Sequence, residues 1–209
     1  RPTEWPGSRP LELEPDLGLD CGGLEAWARE NVVKVLCFCH PKDDPATRAA
    51  QEETVRRLFQ AARRNDLEFL LEIIPSKVGP VDNETTATLI RQFYAAGIYP
   101  DWWKLEPLTE GVAWRKAIAA IEENDPHTRG IVVLGLDAPE ADLAQSFAVA
   151  ASFPLVKGFA VGRTIFADAA RGWLAGALSD ADAVAQMAER YGRLCAIWDR
   201  ARARARVAA

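Results

Sequence analysis

Five short apolar runs, each followed by a helix-length amphipathic stretch, constrain this chain most. The runs are VVKVLCFC (32–39), LEFLLEIIP (67–75), PDWWKLEP (100–107), GIVVLGLD (130–137) and LVKGFAVG (155–162). Helical patterns lie near 45–64, 83–96, 109–124, 139–151 and 165–176, and a last one near 180–206. Short, almost continuously apolar runs read as strands covered on both faces. Strand then helix, five times over, predicts parallel strands joined by right-handed crossovers. GPVDNET and LDAPEAD place Asp, Asn or Pro where helix starts need them, and Gly97 follows RQFYAA as a helix-ending glycine.

There is no GxGxxG turn and no Walker loop, so the nucleotide-binding forms of this class lose ground. A (β/α)8 TIM barrel remains, an α/β fold with its active site at the C-terminal strand ends. Five units fall short of the eight that closure needs. PLELEP (10–15) offers an extra strand. The expectation is a single, N-terminally incomplete barrel domain: an irregular lead-in over 1–30, five βα units over 31–178 and a C-terminal helix over 179–209.

The totals narrow the partners. The 209 residues carry a net charge of −5, and the one locally basic stretch, DRARARARVAA, reads as the solvated last turns of a helix. Nucleic acid is not an expected partner. No apolar run is long enough to span a bilayer, so neither is a membrane. Cys21, Cys37, Cys39 and Cys195 lack a disulfide-framework spacing, which points to a reducing, cytoplasmic setting. Trp173 and Trp198, on the late helices, are candidates for a homo-oligomer interface.

Polar residues inside the runs carry the chemistry. Side chains alternate across a strand, so Lys34, Leu36, Phe38 and His40 share one face and Cys37 and Cys39 the other. Glu72 stands with Leu70 and Ile74, and Lys104 with Trp102 and Glu106. Three consecutive strands thus carry Lys34, Glu72 and Lys104. Neighbouring strands lie roughly 4.8 Å apart, so the three side chains meet if all point inward. They form either a structural ion-pair network or an imine-forming site. A lysine nucleophile must be neutral, and desolvation and a nearby cation favour that form. Lys104, between tryptophans and near Lys34, is the expected nucleophile; Glu72 is the expected proton shuttle.

Cys37, Cys39 and His40 in CFCHPKDD imitate metal ligands, but CxC is not a usual zinc spacing and no second pair follows. Core packing is expected there, and neither metal nor cofactor. Gly162 and Arg163, at a strand-to-helix turn, have the chemistry of a phosphate site, with Gly135 and Leu136 as its other half. Lys157, at the start of its run, is expected to be structural. Ser76 and Lys77, in the strand-exit loop IIPSKVGPVD, are candidate substrate contacts.

VVKVLCFCHPKDD, LLEIIPSK, PDWWKLEP and VKGFAVGRTIFADAARGWLAG, in this order, resemble the aldolase-like domain of inositol catabolism. That domain is often fused behind a 5-dehydro-2-deoxygluconokinase and is similar to the class I tagatose-1,6-bisphosphate aldolases. The resemblance implies that Lys104 forms the imine, Glu72 transfers protons, Lys34 assists and Gly162–Arg163 bind phosphate. It implies that the chain starts within the third strand of a barrel, so that its five units are strands four to eight. LGLDAP stands where that family has a serine and glycines, and no strand matches its early FD aspartate. The implied reaction is cleavage of 2-deoxy-5-keto-D-gluconate 6-phosphate to dihydroxyacetone phosphate and malonate semialdehyde. The alternatives are a sugar-phosphate-binding regulatory domain attached to a sugar kinase, and a tagatose-bisphosphate-type aldolase.

Overall fold

The structure is a computed structural model that describes residues 2–135 and 138–208. Its strands are β1 (Val32–Cys37), β2 (Glu68–Ile73), β3 (Trp102–Leu105), β4 (Gly130–Leu134) and β5 (Val156–Ala160). The helices are α1 (Pro45–Arg64), α2 (Thr85–Ala95), α3 (Gly111–Glu122), α4 (Glu140–Ala150), α5 (Arg163–Leu174) and α6 (Asp180–Ala208). The five strands form one sheet in chain order, as repeated βα units with crossover helices require. The parallel register pairs Leu36 with Glu72 and Glu72 with Lys104.

The chain divides into two compact units, one of residues 1–105 and 112–131, the other of 106–111 and 132–209. In the first, Val33, Val35 and Cys37 of β1, Phe69, Leu71 and Ile73 of β2, and Trp103 and Leu105 of β3 are fully buried. They are every second residue, so one face of each strand is core. Helix α1 covers it with Val55, Leu58, Ala61 and Ala62, and its Phe59 meets Phe69 edge-on at 5.6 Å between ring centres. Helix α2 contributes Tyr94, whose hydroxyl accepts a 3.0 Å hydrogen bond from Trp103 Nε1. Burial pushes the Tyr94 phenol up, so it stays a neutral partner for the indole.

Helix ends follow local chemistry. Asp44 caps α1 by accepting from the N–H groups of Ala46 and Thr47, with Pro45 at the first helical position. Ahead of α2, Asp82 accepts from Glu84 N, Thr85 N and Thr85 Oγ1. Gly97 closes α2 at φ +75°, a conformation that favours glycine, as expected from RQFYAA.

In the second unit, Phe147 of α4 stacks on Phe159 of β5 at 4.9 Å and meets Trp198 of α6 edge-on at 5.4 Å. Trp198 is therefore a buried core residue and not part of an exposed interface; Trp173 is half exposed. Lys157 Nζ donates to Pro154 O at 3.1 Å, a local structural contact.

PLELEP does not form an additional parallel strand. Leu13 makes an isolated antiparallel bridge to Glu4, and Trp5 N and Glu14 N close the pairing on Glu12 O and Thr3 O, both at 2.8 Å. The lead-in folds on itself there. Its first residues also lie along β1 through a parallel bridge between Pro2 and Lys34.

Candidate active site

Lys34, Glu72 and Lys104 meet in the first unit, as alternation predicts. Glu72 and Lys104 are the penultimate residues of β2 and β3 and lie directly opposite in register. Glu72 Oε1 is 3.0 Å from Lys104 Nζ, and Glu72 Oε2 is 2.8 Å from Lys34 Nζ. One carboxylate thus bridges two ammonium groups on its two flanking strands. The Glu72 side chain is 7% exposed, those of Lys34 and Lys104 19% and 17%. The lysines are similarly accessible, and the carboxylate between them is nearly dry.

The surroundings of Lys104 differ from expectation in one respect. Trp102 shares its face and donates through Nε1 to Glu68 Oε2 at 2.8 Å. Trp103 points the other way, into the core under α2. Lys104 is therefore not held between two indoles, because adjacent residues of a strand cannot share a face.

A fourth charged residue belongs to this site and was not expected. Glu4 Oε1 is 2.5 Å from Lys34 Nζ. Its Oε2 accepts from Leu36 N and Thr3 N, both at 3.2 Å. Thr3 Oγ1 donates to Lys34 O at 2.8 Å, which fixes the segment against β1. Glu4, Lys34, Glu72 and Lys104 form a chain of alternating sign with zero net charge.

Cys37, Cys39 and His40 are buried. Cys37 Sγ lies 3.6 Å from Gln51 Oε1 of α1, on the core side of β1. Cys37 hydrogen bonding, reinforced by burial, pushes the Cys39 thiol well up. His40 Nδ1 accepts from Lys42 N at 3.2 Å, so its Nε2 carries the proton that faces Pro80 O at 3.0 Å. Among the described residues no three His, Cys, Asp or Glu side chains gather as a metal site. Ser76 and Lys77 are exposed in a single 3-10 turn, Pro75–Lys77, directly after β2.

In the second unit, Gly162 is the N-cap of α5 and Arg163 its first residue. Gly135 approaches that turn closely: a Cβ there would lie 2.9 Å from Val161 Cγ1, so only glycine fits without displacement. Thr164 Oγ1 donates to Ala138 O at 3.1 Å and ties the start of α5 to the segment leading into α4. Gly135 and the Gly162–Arg163 turn are thus neighbours. Leu136 lies outside the described residues. Arg163 also lines a groove of about 430 Å³ with Glu140, Asp168, Arg171, Arg190 and Arg193. Asp168 pairs there with Arg171 and Arg190, and Glu140 with Arg193.

No helix among the described residues is long and apolar enough to cross a membrane. No curated protein matches the sequence. A fructose-bisphosphate aldolase from Plasmodium falciparum, solved in complex with TRAP and a small-molecule inhibitor, is similar in fold, with a TM-score of 0.60 at 14% identity. The match covers 87% of this chain and 59% of that one, so the chain spans little more than half the aldolase's length. This likeness shows a partial, TIM-barrel-like aldolase fold. A family model matches residues 1–202, and the chain belongs to that family, DUF2090, described as an uncharacterized protein conserved in bacteria.

Proposed function

We propose that the chain acts as a class I aldolase on a phosphorylated keto sugar acid, with Lys104 as the imine-forming lysine. The observation that carries this reading is the Glu72 carboxylate bridging Lys34 and Lys104 from three consecutive parallel strands. An aldolase-like fold around that cluster supports it, since chemistry in such barrels is placed at the C-terminal strand ends.

The preferred substrate is 2-deoxy-5-keto-D-gluconate 6-phosphate. Lys104 passes a proton to Glu72 across their 3.0 Å contact and attacks the ketone carbon. The carbinolamine takes a proton on oxygen and loses water to give an iminium. Loss of the proton from the hydroxyl two carbons away breaks the carbon–carbon bond. Its electron pair moves onto the iminium nitrogen to form an enamine, and malonate semialdehyde leaves. Protonation of the enamine carbon and hydrolysis return the lysine and release dihydroxyacetone phosphate. Lys34 holds a substrate oxygen as a fixed cation. Arg163, the Gly162 turn and Gly135 are the proposed phosphate contacts, with Ser76 and Lys77 as further substrate contacts. A fused or partner sugar kinase and a reducing, cytoplasmic setting belong to the same proposal.

Borohydride trapping in the presence of dihydroxyacetone phosphate, read by peptide mass spectrometry, tests it. A reduced adduct on Lys104, absent in Lys104→Ala, is the expected result. A chain that binds the sugar phosphate but forms no adduct on any lysine would be a sugar-phosphate sensor, and the imine reading would fall.

A further inference from the structure

Around Glu72 the two lysines are nearly equivalent. One lies on each carboxylate oxygen, at 2.8 Å and 3.0 Å, and their exposures differ by only two percentage points, 19% against 17%. Nothing in that triad selects which lysine gives up its proton. Glu4 removes the symmetry. It holds Lys34 at 2.5 Å, and its second oxygen is fixed by the N–H groups of Leu36 and Thr3.

We propose that Glu4 is the positioning residue that makes Lys104, and not Lys34, the nucleophile of the site. The inference rests on the imine reading and concerns the choice of lysine within it. Charge balance gives the reason. If Lys104 passes its proton to Glu72, both become neutral and the Lys34–Glu4 pair stays intact. If Lys34 passes its proton instead, Glu4 is left without its cation, and the Lys104 ammonium faces a neutral acid. That second state holds two uncompensated charges in a site largely withdrawn from water, which is costly. Glu4 therefore keeps Lys34 an ammonium and leaves Glu72 to serve Lys104.

Glu4→Gln isolates this role. Its amide oxygen takes the N–H groups of Leu36 and Thr3, so the lead-in stays docked. Its NH2 group is then aimed at Lys34, replacing an acceptor by a donor. Competitive acetylation with trace acetic anhydride, on the full chain and read by peptide mass spectrometry, reports the reactivity of each lysine without any substrate. In the parent chain Lys104 reacts faster than Lys34. In Glu4→Gln, Lys34 reactivity rises roughly tenfold, the order of one lost charge-assisted hydrogen bond. Lys104 changes far less. Glu4→Asp, which keeps the charge, restores most of the parental preference. Borohydride trapping with dihydroxyacetone phosphate then yields adduct on Lys34 as well as on Lys104 in Glu4→Gln.

An unchanged Lys34 overturns the proposal. So does an equal rise at both lysines in both variants, which is what simple loosening of the lead-in gives. The two readings fail separately. A parent chain that shows the acetylation contrast but traps no adduct loses the imine and keeps the Glu4 role. A chain that traps on Lys104 with the same contrast in Glu4→Gln keeps the imine and loses the Glu4 role.

Discussion

On β1, β2 and β3, Val33, Val35, Cys37, Phe69, Leu71, Ile73, Trp103 and Leu105 are fully buried against helices, while alternate positions carry Lys34, Glu72 and Lys104. Both faces come from the same backbone and the same register. One is uniformly apolar and complete in itself. The other holds Lys34, Glu72 and Lys104, which satisfy one another, with Glu4 brought in from outside the strands and Glu68 paired separately with Trp102 and Arg129. Burial of apolar area accounts for the first face. It does not account for the second, since a buried ion pair is often no more stable than apolar side chains of the same volume. The contrast separates what holds the fold from what the fold holds.

Substitutions on the two faces should therefore fail in different ways. Trp103→Ala, on the apolar face, removes a large buried ring and the partner of Tyr94. A loss of about 3–5 kcal/mol in denaturant unfolding is expected, with any surviving folded fraction still acetylated preferentially at Lys104. A loss under about 1 kcal/mol would mean that the helix-covered face is not the main source of stability. Glu72→Gln, on the charged face, should cost less, about 2 kcal/mol, because the lysines keep some access to water. Its effect on turnover should be larger, roughly a hundredfold or more, as for loss of a proton-transfer group. Equal kinetics with and without the carboxylate would reduce the cluster to a structural ion-pair network.

The smallest effect lies outside both faces. Hydrogen bonds from Thr47 and then Ala46 hold the Asp44 carboxyl below the usual carboxylate range. A group lowered on folding contributes stability above its unfolded value, and that contribution is lost as pH falls through the folded value. Asp44→Ala should thus lower the thermal midpoint slightly at neutral pH, and the gap should close in acid. A gap that persists in acid would show that the cap acts through something other than its charge.

The sequence made the β-strands and α-helices legible because period and punctuation agree: each run ends near a Gly, Pro or Asp, and the helix ends differ from expectation by no more than two residues. Alternation also brought Lys34, Glu72 and Lys104 together, since parity along a strand decides which face a residue occupies. Glu4 escaped the same logic. It stands in PTEWPG, where two prolines flank too few residues to show any period, and its pairing to β1 runs through one isolated bridge at Pro2. PLELEP showed a strand-like alternation, yet its backbone partner is the lead-in itself at Glu4. Trp198 was misplaced because α6 is polar around most of its circumference, and the Phe147–Phe159 stack that receives it is formed by distant segments.

The direct opposition of Glu72 and Lys104 bears on how such a chain can diverge. The connection from Ile74 to Asp101 can gain or lose residues in its loops without moving either charge, because both are fixed by their own strands. A single-residue deletion between Phe69 and Leu71 is different. It would turn Glu72 toward the helices and place an apolar side chain between the two lysines. Length in the connections is therefore free to drift, while odd-numbered insertions or deletions inside the strands are barred. Divergent copies of this site should be sought by the parity of their charged positions, not by their spacing along the chain.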